Sequence, residues 1–226
     1  MIKPAVRVLV VSLVSLVVTA SSVDAAEQEE SYVKEGPYVG LSLVQNFMSG
    51  DFDDTGFFFI RGSNGDPNTV IDMPRVDDGM GFGVVVGWRL PTRSVELGYQ
   101  RTMHDTSSAF VEFGENDAAL NVVDLNVKFD VFAHKKFRPY VLLGAGIPWL
   151  TIEDSQVEGT TYHDATYAGV CLNGGVGVAY YIKPQWAVTG GLLYRHNWFT
   201  SVEEMGLPGN LIEHTIGVTL GVAYTF

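Results

Sequence analysis

Three shortages narrow this sequence before any motif is read. Cys171 is the only cysteine in 226 residues, which excludes an internal disulfide and a CxxC-type zinc cluster. Basic residues are scarce: 14 Lys+Arg stand against 26 Asp+Glu, for a formal charge of −12. A nucleic-acid partner asks for a basic face, and the balance here runs the other way. Long apolar runs are also missing. The one apolar run, from Val8 to Val18, is well below the ~20 residues that a spanning helix needs.

That run belongs to a targeting segment. Lys3 and Arg7 form a positive n-region, and Val23-Asp24-Ala25 supplies small residues at a cleavage site before Ala26. Residues 1–25 are read as a cleavable signal peptide, 26–35 as a short periplasmic N-terminal segment and 36–226 as one β-barrel domain. Cleavage exposes Ala26 and not a cysteine, which speaks against a lipoprotein. Removing Lys3, Arg7 and Asp24 leaves 12 basic and 25 acidic side chains, a formal charge of −13. With no long apolar segment after residue 25, membrane insertion has to be by strands.

What the chain does have is glycine, aromatics and alternation. Twenty-five glycines and 12% aromatics suit closely packed strands. Residues 215–226 alternate almost without error: Ile216, Val218, Leu220, Val222, Tyr224 and Phe226 on one face, Thr, Gly, Thr, Gly, Ala and Thr on the other. Successive strand side chains point to opposite faces. A narrow transmembrane barrel turns the bulky face to lipid and the small face inward. Seven further segments repeat the pattern, near 36–47, 79–90, 94–105, 119–132, 138–152, 167–182 and 185–199. In the fourth strand Val123, Leu125, Val127, Phe129 and Val131 oppose Asp124, Asn126, Lys128 and Asp130.

The connections alternate as well. Those at 91–93, 133–137 and 183–184 are short, whereas 48–78, 106–118, 153–166 and 200–212 are long. Short periplasmic turns and longer external loops are the habit of outer-membrane barrels. By parity Trp88, Trp149, Trp186 and Trp198 share the apolar face near strand ends. With Tyr224 and Phe226 they make an aromatic girdle at the two water boundaries. The fold expected is all-β: an eight-stranded antiparallel transmembrane barrel in the outer membrane of a Gram-negative bacterium. A soluble lipocalin-like barrel is the fold alternative, opposed by the polar-in alternation.

Gly36-Pro37-Tyr38-Val39-Gly40-Leu41, Val95-Glu96-Leu97-Gly98-Tyr99-Gln100, Arg138-Pro139-Tyr140-Val141-Leu142-Leu143-Gly144-Ala145-Gly146 and the terminal Tyr224-Thr225-Phe226 carry a family likeness. The chain resembles the small eight-stranded outer-membrane barrels, the OmpA-like and opacity-protein-like superfamily, over essentially its whole mature length. The resemblance implies insertion by a barrel assembly machinery that reads a C-terminal aromatic, a position that Phe226 matches. It also implies that Glu96 takes the place of a lumenal glutamate that pairs with an arginine. The strand-seven arginine of that pattern is not matched, and Arg195 is the substitute candidate. The peptidoglycan-binding domain of many such proteins has no counterpart after Phe226, so no cell-wall tether is expected.

Parity sends Arg89, Glu96, Asp124, Lys128, Asp130, Arg138 and Arg195 into the lumen. Isolated charges there would be costly, so they should pair. A side-chain-filled plug is the reading adopted, and a gate on a small conductance is its alternative. His196 and His214 point outward near the loop end on adjacent strands, the place where lipid A acyl hydrolases of this shape carry Ser and His. The serine two positions after His196 is missing, however. His104, Asp105, Ser107 and Ser108 run consecutively in an expected loop, and His163-Asp164 forms no arranged set. Asp51, Asp53, Asp54, Asp66, Asp72, Asp77 and Asp78 outnumber Arg61 and Arg75 in the first external loop, without the spacing of a calcium loop. Phe57-Phe58-Phe59-Ile60 within it suggests a strand extension, a contact surface or packing on the rim. Cys171 is expected in the lumen beside Asn173 and Gly175.

No catalytic residue, cofactor or metal is assigned. The expected role is structural or surface interaction, with outer-membrane lipid, lipopolysaccharide and a host or matrix ligand of acidic external loops as partners, and no nucleic acid. A small gated pore is the alternative, and an outer-leaflet lipid A acyl hydrolase ranks third.

Overall fold

Alternating bulky and small side chains give each segment one face that water rejects, and only closure of the sheet hides its edges as well. The computed structural model describes residues 32–53, 56–61, 67–108, 117–132, 135–158, 161–201 and 211–226, with no side chains at 56–72, 155–162 and 201. The signal peptide at 1–25, residues 26–31 of the N-terminal segment, Asp54, Asp66 and the side chains of Phe57–Ile60, Arg61 and Asp72 lie outside the described residues.

Among the described residues ten strands follow in chain order: β1 (Gly36–Gly50), β2 (Gly56–Arg61), β3 (Pro67–Met73), β4 (Arg75–Arg89), β5 (Arg93–Ser107), β6 (Asp117–Asp130), β7 (Phe137–Glu158), β8 (Thr161–Lys183), β9 (Trp186–Ser201) and β10 (Leu211–Thr225). Eight of them close a ring of antiparallel neighbours, β1-β4-β5-β6-β7-β8-β9-β10 and back to β1. The remaining pair, β2 and β3, is a hairpin in the first long connection, joined to the loop end of β7 through Thr69–Ile71 opposite Gln156–Glu158. The run 57–60 is therefore strand, extending the sheet above the barrel.

The outward face is what lipid would solvate. Leu43, Met80 and Leu220 are 68%, 66% and 62% exposed, and Leu41, Leu97, Leu125, Leu143, Ile147 and Leu172 share that face. At about 25 cal/mol per Å² of apolar surface, such a belt is untenable in water, and the largest patches on soluble monomers are far smaller.

Several strands outrun their alternation. The connection expected at 153–166 is mostly ladder: β7 continues to Glu158 and β8 resumes at Thr161. Glu153-Asp154-Ser155-Gln156 offers no apolar face, so the sequence pattern stops where lipid stops while backbone pairing carries on into water. A bulge between Ile152 and Gln156 bends β7 there. Asp154 takes φ 49° within it, and the Asp164 carboxylate accepts its N–H at 3.2 Å, a conformation that Asp tolerates. His104, Asp105 and Ser107 likewise lie in β5, not in a loop, and their alternation splits them between faces.

The opposite rim is stitched tightly. Leu90 N–H donates to Arg93 O at 2.8 Å across the β4–β5 turn, Lys34 N–H to Pro184 O at 3.0 Å, and Phe226 N–H to Pro37 O at 2.9 Å. Both ends of the described chain therefore meet the short-turn rim. In a Cys171→Ser background, a cysteine at Thr160 should react with a membrane-impermeant maleimide on intact cells, and one at Thr92 should not. Equal labelling of both would invert or dissolve this topology.

Candidate functional site

The lumen is built in layers from the short-turn end upward. Wholly buried Arg138 pairs with Asp130 at 3.3 Å, and its guanidinium donates to Lys135 O at 3.1 Å and to Pro91 O at 3.2 Å. One side chain thus ties the ion-pair layer to the β4–β5 turn and to the chain leading into β7. Arg89 donates to Thr225 Oγ1 at 2.8 Å and lies 4.4 Å from the Tyr38 ring centre and 5.2 Å from that of Tyr181. Aromatic faces of this kind attract cations. Gly87 makes room for Tyr38, since a Cβ there would come within 2.8 Å of the ring.

The next layer holds Glu96, which forms an ion pair with Lys128 and accepts from the Tyr38 hydroxyl; Lys128 sits 4.5 Å from the Tyr140 ring centre. Above it Arg195 pairs with Asp124 at 2.9 Å and donates to Gln100 Oε1 at 2.9 Å. Asn126 donates to Asp124 at 2.7 Å, Asn173 to Asn126 at 3.1 Å, and Cys171 to Asn173 at 3.4 Å.

The expected Glu96–Arg195 pair does not form. Ladder register is the reason: Lys128 lies opposite Ser94 on β5, diagonal to Glu96, whereas Arg195 on β9 stands level with Asn173 and Thr215. Glu96, Asp124 and Asp130 each take the cation of their own layer. Among the described residues the lumen holds four basic groups (Arg89, Lys128, Arg138, Arg195) against four acidic ones, Glu96, Asp124, Asp130 and Glu213. Parity also exposes Glu213, which shares the inner face of β10 with Thr215, although the sequence reading passed over it. A cavity of about 140 Å³ remains among Tyr38, Glu96, Gln100, Asp124, Lys128 and Arg195, room for a few waters.

The upper lumen departs from the expected polar interior. Phe52, Leu120, Leu150, Ile152, Tyr167 and Phe199 are each 1% exposed or less, with Met73 and Val76 beside them. Phe52 reaches this cluster from the β1 end. Gly50 at φ +151° turns the chain inward where a Cβ would strike Ile212 O at 2.5 Å. Glu213 then accepts the Phe52 N–H at 3.3 Å, and Phe52 meets Tyr167 and Phe199 edge-on at 5.4 and 6.2 Å. Bulky inner residues such as Leu120 and Leu150 were legible by parity, but their neighbours from three other strands were not. At the lower end Val33 packs beneath Tyr181, Ala179, Ala187 and Ala223.

Outside, Trp88, Trp186 and Phe226 are exposed near the short turns and Trp198 near the loops, with Trp149 half-buried. Trp186 lies tilted against Tyr224 at 4.9 Å, and Tyr224 meets Phe226 edge-on at 5.1 Å. The loop rim exposes Asp51, Asp53, Asp78, Asp105, Asp117, Glu153, Asp154, His163 and Asp164, and Arg75 is held by Asp77 at 3.1 Å. His104 faces inward, bonded to Thr102 Oγ1 and to Asp77 O at 2.8 Å each, away from Asp105. Among the described residues no three His, Cys, Asp or Glu side chains come together as a metal cluster.

Breaking one partner of a buried pair strands the other charge and costs about 3–5 kcal/mol, whereas replacing both with apolar groups is often neutral. Lys128→Ala should therefore lower the urea midpoint of the folded barrel in detergent strongly, and Glu96→Leu/Lys128→Met should recover most of that loss. A single substitution without effect would mean that the pair is not buried.

The outer membrane protein beta-barrel domain model matches residues 13–226. Among solved structures, Neisserial surface protein A is 15% identical, with 84% of this chain and 97% of that one covered and a TM-score of 0.55. The outer membrane protein OprG from Pseudomonas aeruginosa is 14% identical over 86% and 97%, with a TM-score of 0.51. At these identities the likeness is one of fold. No curated protein matches the chain. Closed ring, lipid-facing belt and family match agree: this chain belongs to the outer membrane protein beta-barrel family and resides in the outer membrane of a Gram-negative cell.

Proposed function

We propose that this barrel serves the envelope as a structural and surface-interaction element, its filled lumen acting as a rigid pedestal for acidic external segments. The observation that carries the reading is the stopper at the loop end. Phe52, Leu120, Leu150, Ile152, Tyr167 and Phe199 stand across the path that water would take, and Val33 closes on Tyr181 at the other end. Between them Lys128, Arg138 and Arg195 are held in ion pairs, and Arg89 is held by Thr225 and two tyrosine rings. An ion crossing this lumen would leave bulk water for an apolar layer, which is prohibitive without a continuous wet path.

The pedestal also sets what is displayed. The apolar stopper and the β2–β3 hairpin laid against β7 support a stiff upper rim. Its exposed carboxylates suit a basic patch on a host or matrix molecule, with attraction that weakens as salt rises.

Planar-bilayer recording of the purified, refolded protein tests this function. Wild type and Glu96→Ala should both give no sustained conductance above the bare bilayer. A reproducible ohmic step in wild type, altered by Glu96→Ala, would establish the pore instead.

A further inference from the structure

We propose that His196 and His214, with the Tyr194 hydroxyl, form a binding site for a divalent transition metal, copper(II) or zinc(II), on the outer wall of the barrel near its loop end. The two histidines are a direct cross-strand pair on β9 and β10, so the ladder fixes their spacing. Their Nδ1 atoms lie 3.0 Å apart, and the Tyr194 hydroxyl lies 2.7 Å from the same nitrogen of His214.

Two other donor atoms thus crowd the same nitrogen of His214. A neutral imidazole nitrogen carries either one proton or one lone pair, so His214 Nδ1 satisfies one of its two close neighbours by hydrogen bonding and not both. A metal ion accepts lone pairs from all three. With metal–nitrogen bonds of about 2.0–2.1 Å, nitrogens 3.0 Å apart subtend roughly 95° at the metal, the cis angle of tetragonal coordination. Imidazole is a favoured ligand for copper and zinc, and water can fill the remaining positions.

The surroundings favour a cation. Ser49 on β1 lies opposite His214. Two residues further along, the Asp51 carboxylate accepts the Ile212 N–H at 2.8 Å, which keeps a negative charge beside the pair. His214 stacks on Tyr194 at 5.9 Å between ring centres, and His196 meets Trp198 edge-on at 4.1 Å. These contacts pre-position both rings, and they place an indole within quenching distance of any bound copper.

The test uses the full refolded chain in detergent micelles, with folding checked by heat-modifiable gel mobility. Added CuCl2 should quench part of the tryptophan emission and saturate at one ion per chain. Calorimetry of Trp198→Phe should show binding intact while the quenching largely disappears. His196→Ala and His214→Gln should each weaken binding at least tenfold, and His163→Ala should leave it unchanged. Wild-type emission that copper does not quench saturably, or an affinity indifferent to both histidine substitutions, would overturn the proposal. The pair would then be only a hydrogen-bonded contact for lipid phosphate.

Discussion

Backbone polar groups cannot be left unpaired in hydrocarbon, and everything else in this molecule answers to that constraint. A helix would meet it within one segment, but this chain after residue 25 has no apolar stretch long enough. Strands meet it only as a closed ring, which β1 achieves by pairing with β4 on one side and β10 on the other while β7 and β8 pair directly. Strand geometry supplies the two-residue period, and in a closed ring that period sorts side chains into a lipid face and an inner face. The small radius of eight strands then sets what the inner face can hold.

Inside that radius the electrostatics are local. Four basic and four acidic groups are spread over successive layers; three of each form ion pairs within a layer, while Arg89 lies against tyrosine rings and Glu213 accepts the Phe52 N–H. Charge-assisted bonds between Arg195 and Asp124, and between Arg138 and Asp130, are supplemented by ring faces from Tyr38, Tyr140 and Tyr181. Such an interior gains more in register than in net stability, because a slip by one residue would carry every charge on that strand to the lipid side. The apolar cluster at the loop end does different work. It joins seven barrel strands, together with Phe52 and Met73 of β3, into one packed unit just below the external segments.

Most of the barrel was legible because each residue's environment depends on its parity, which a single sequence displays. Arg89, Glu96, Asp124, Lys128, Asp130, Arg138 and Arg195 could be placed inward on that ground. Their partners could not, because pairing depends on stagger between strands, and stagger leaves no mark on any one of them. Hence Glu96 meets Lys128 and Tyr38 where the family likeness pointed toward an arginine. Strand ends were misjudged for a related reason. Hydrophobic alternation records contact with lipid, so the ladder of β7 and β8 beyond Ile152 was invisible although its hydrogen bonding continues. The stopper was hidden because its members come from strands far apart in the chain, each contributing one or two bulky residues to a nominally polar face.

The claim on which this account rests is that hydrocarbon solvates the bulky face. Spin labels placed singly at positions 216–222 of β10, in bilayer-reconstituted protein, read it directly through collision with oxygen and with a water-soluble nickel chelate. Oxygen accessibility should rise and fall with a period of two, peaking at 216, 218, 220 and 222, with the chelate low at those same sites. Uniformly low access to both probes at Ile216, Val218, Leu220 and Val222 would mean that protein covers them, and would contradict the account.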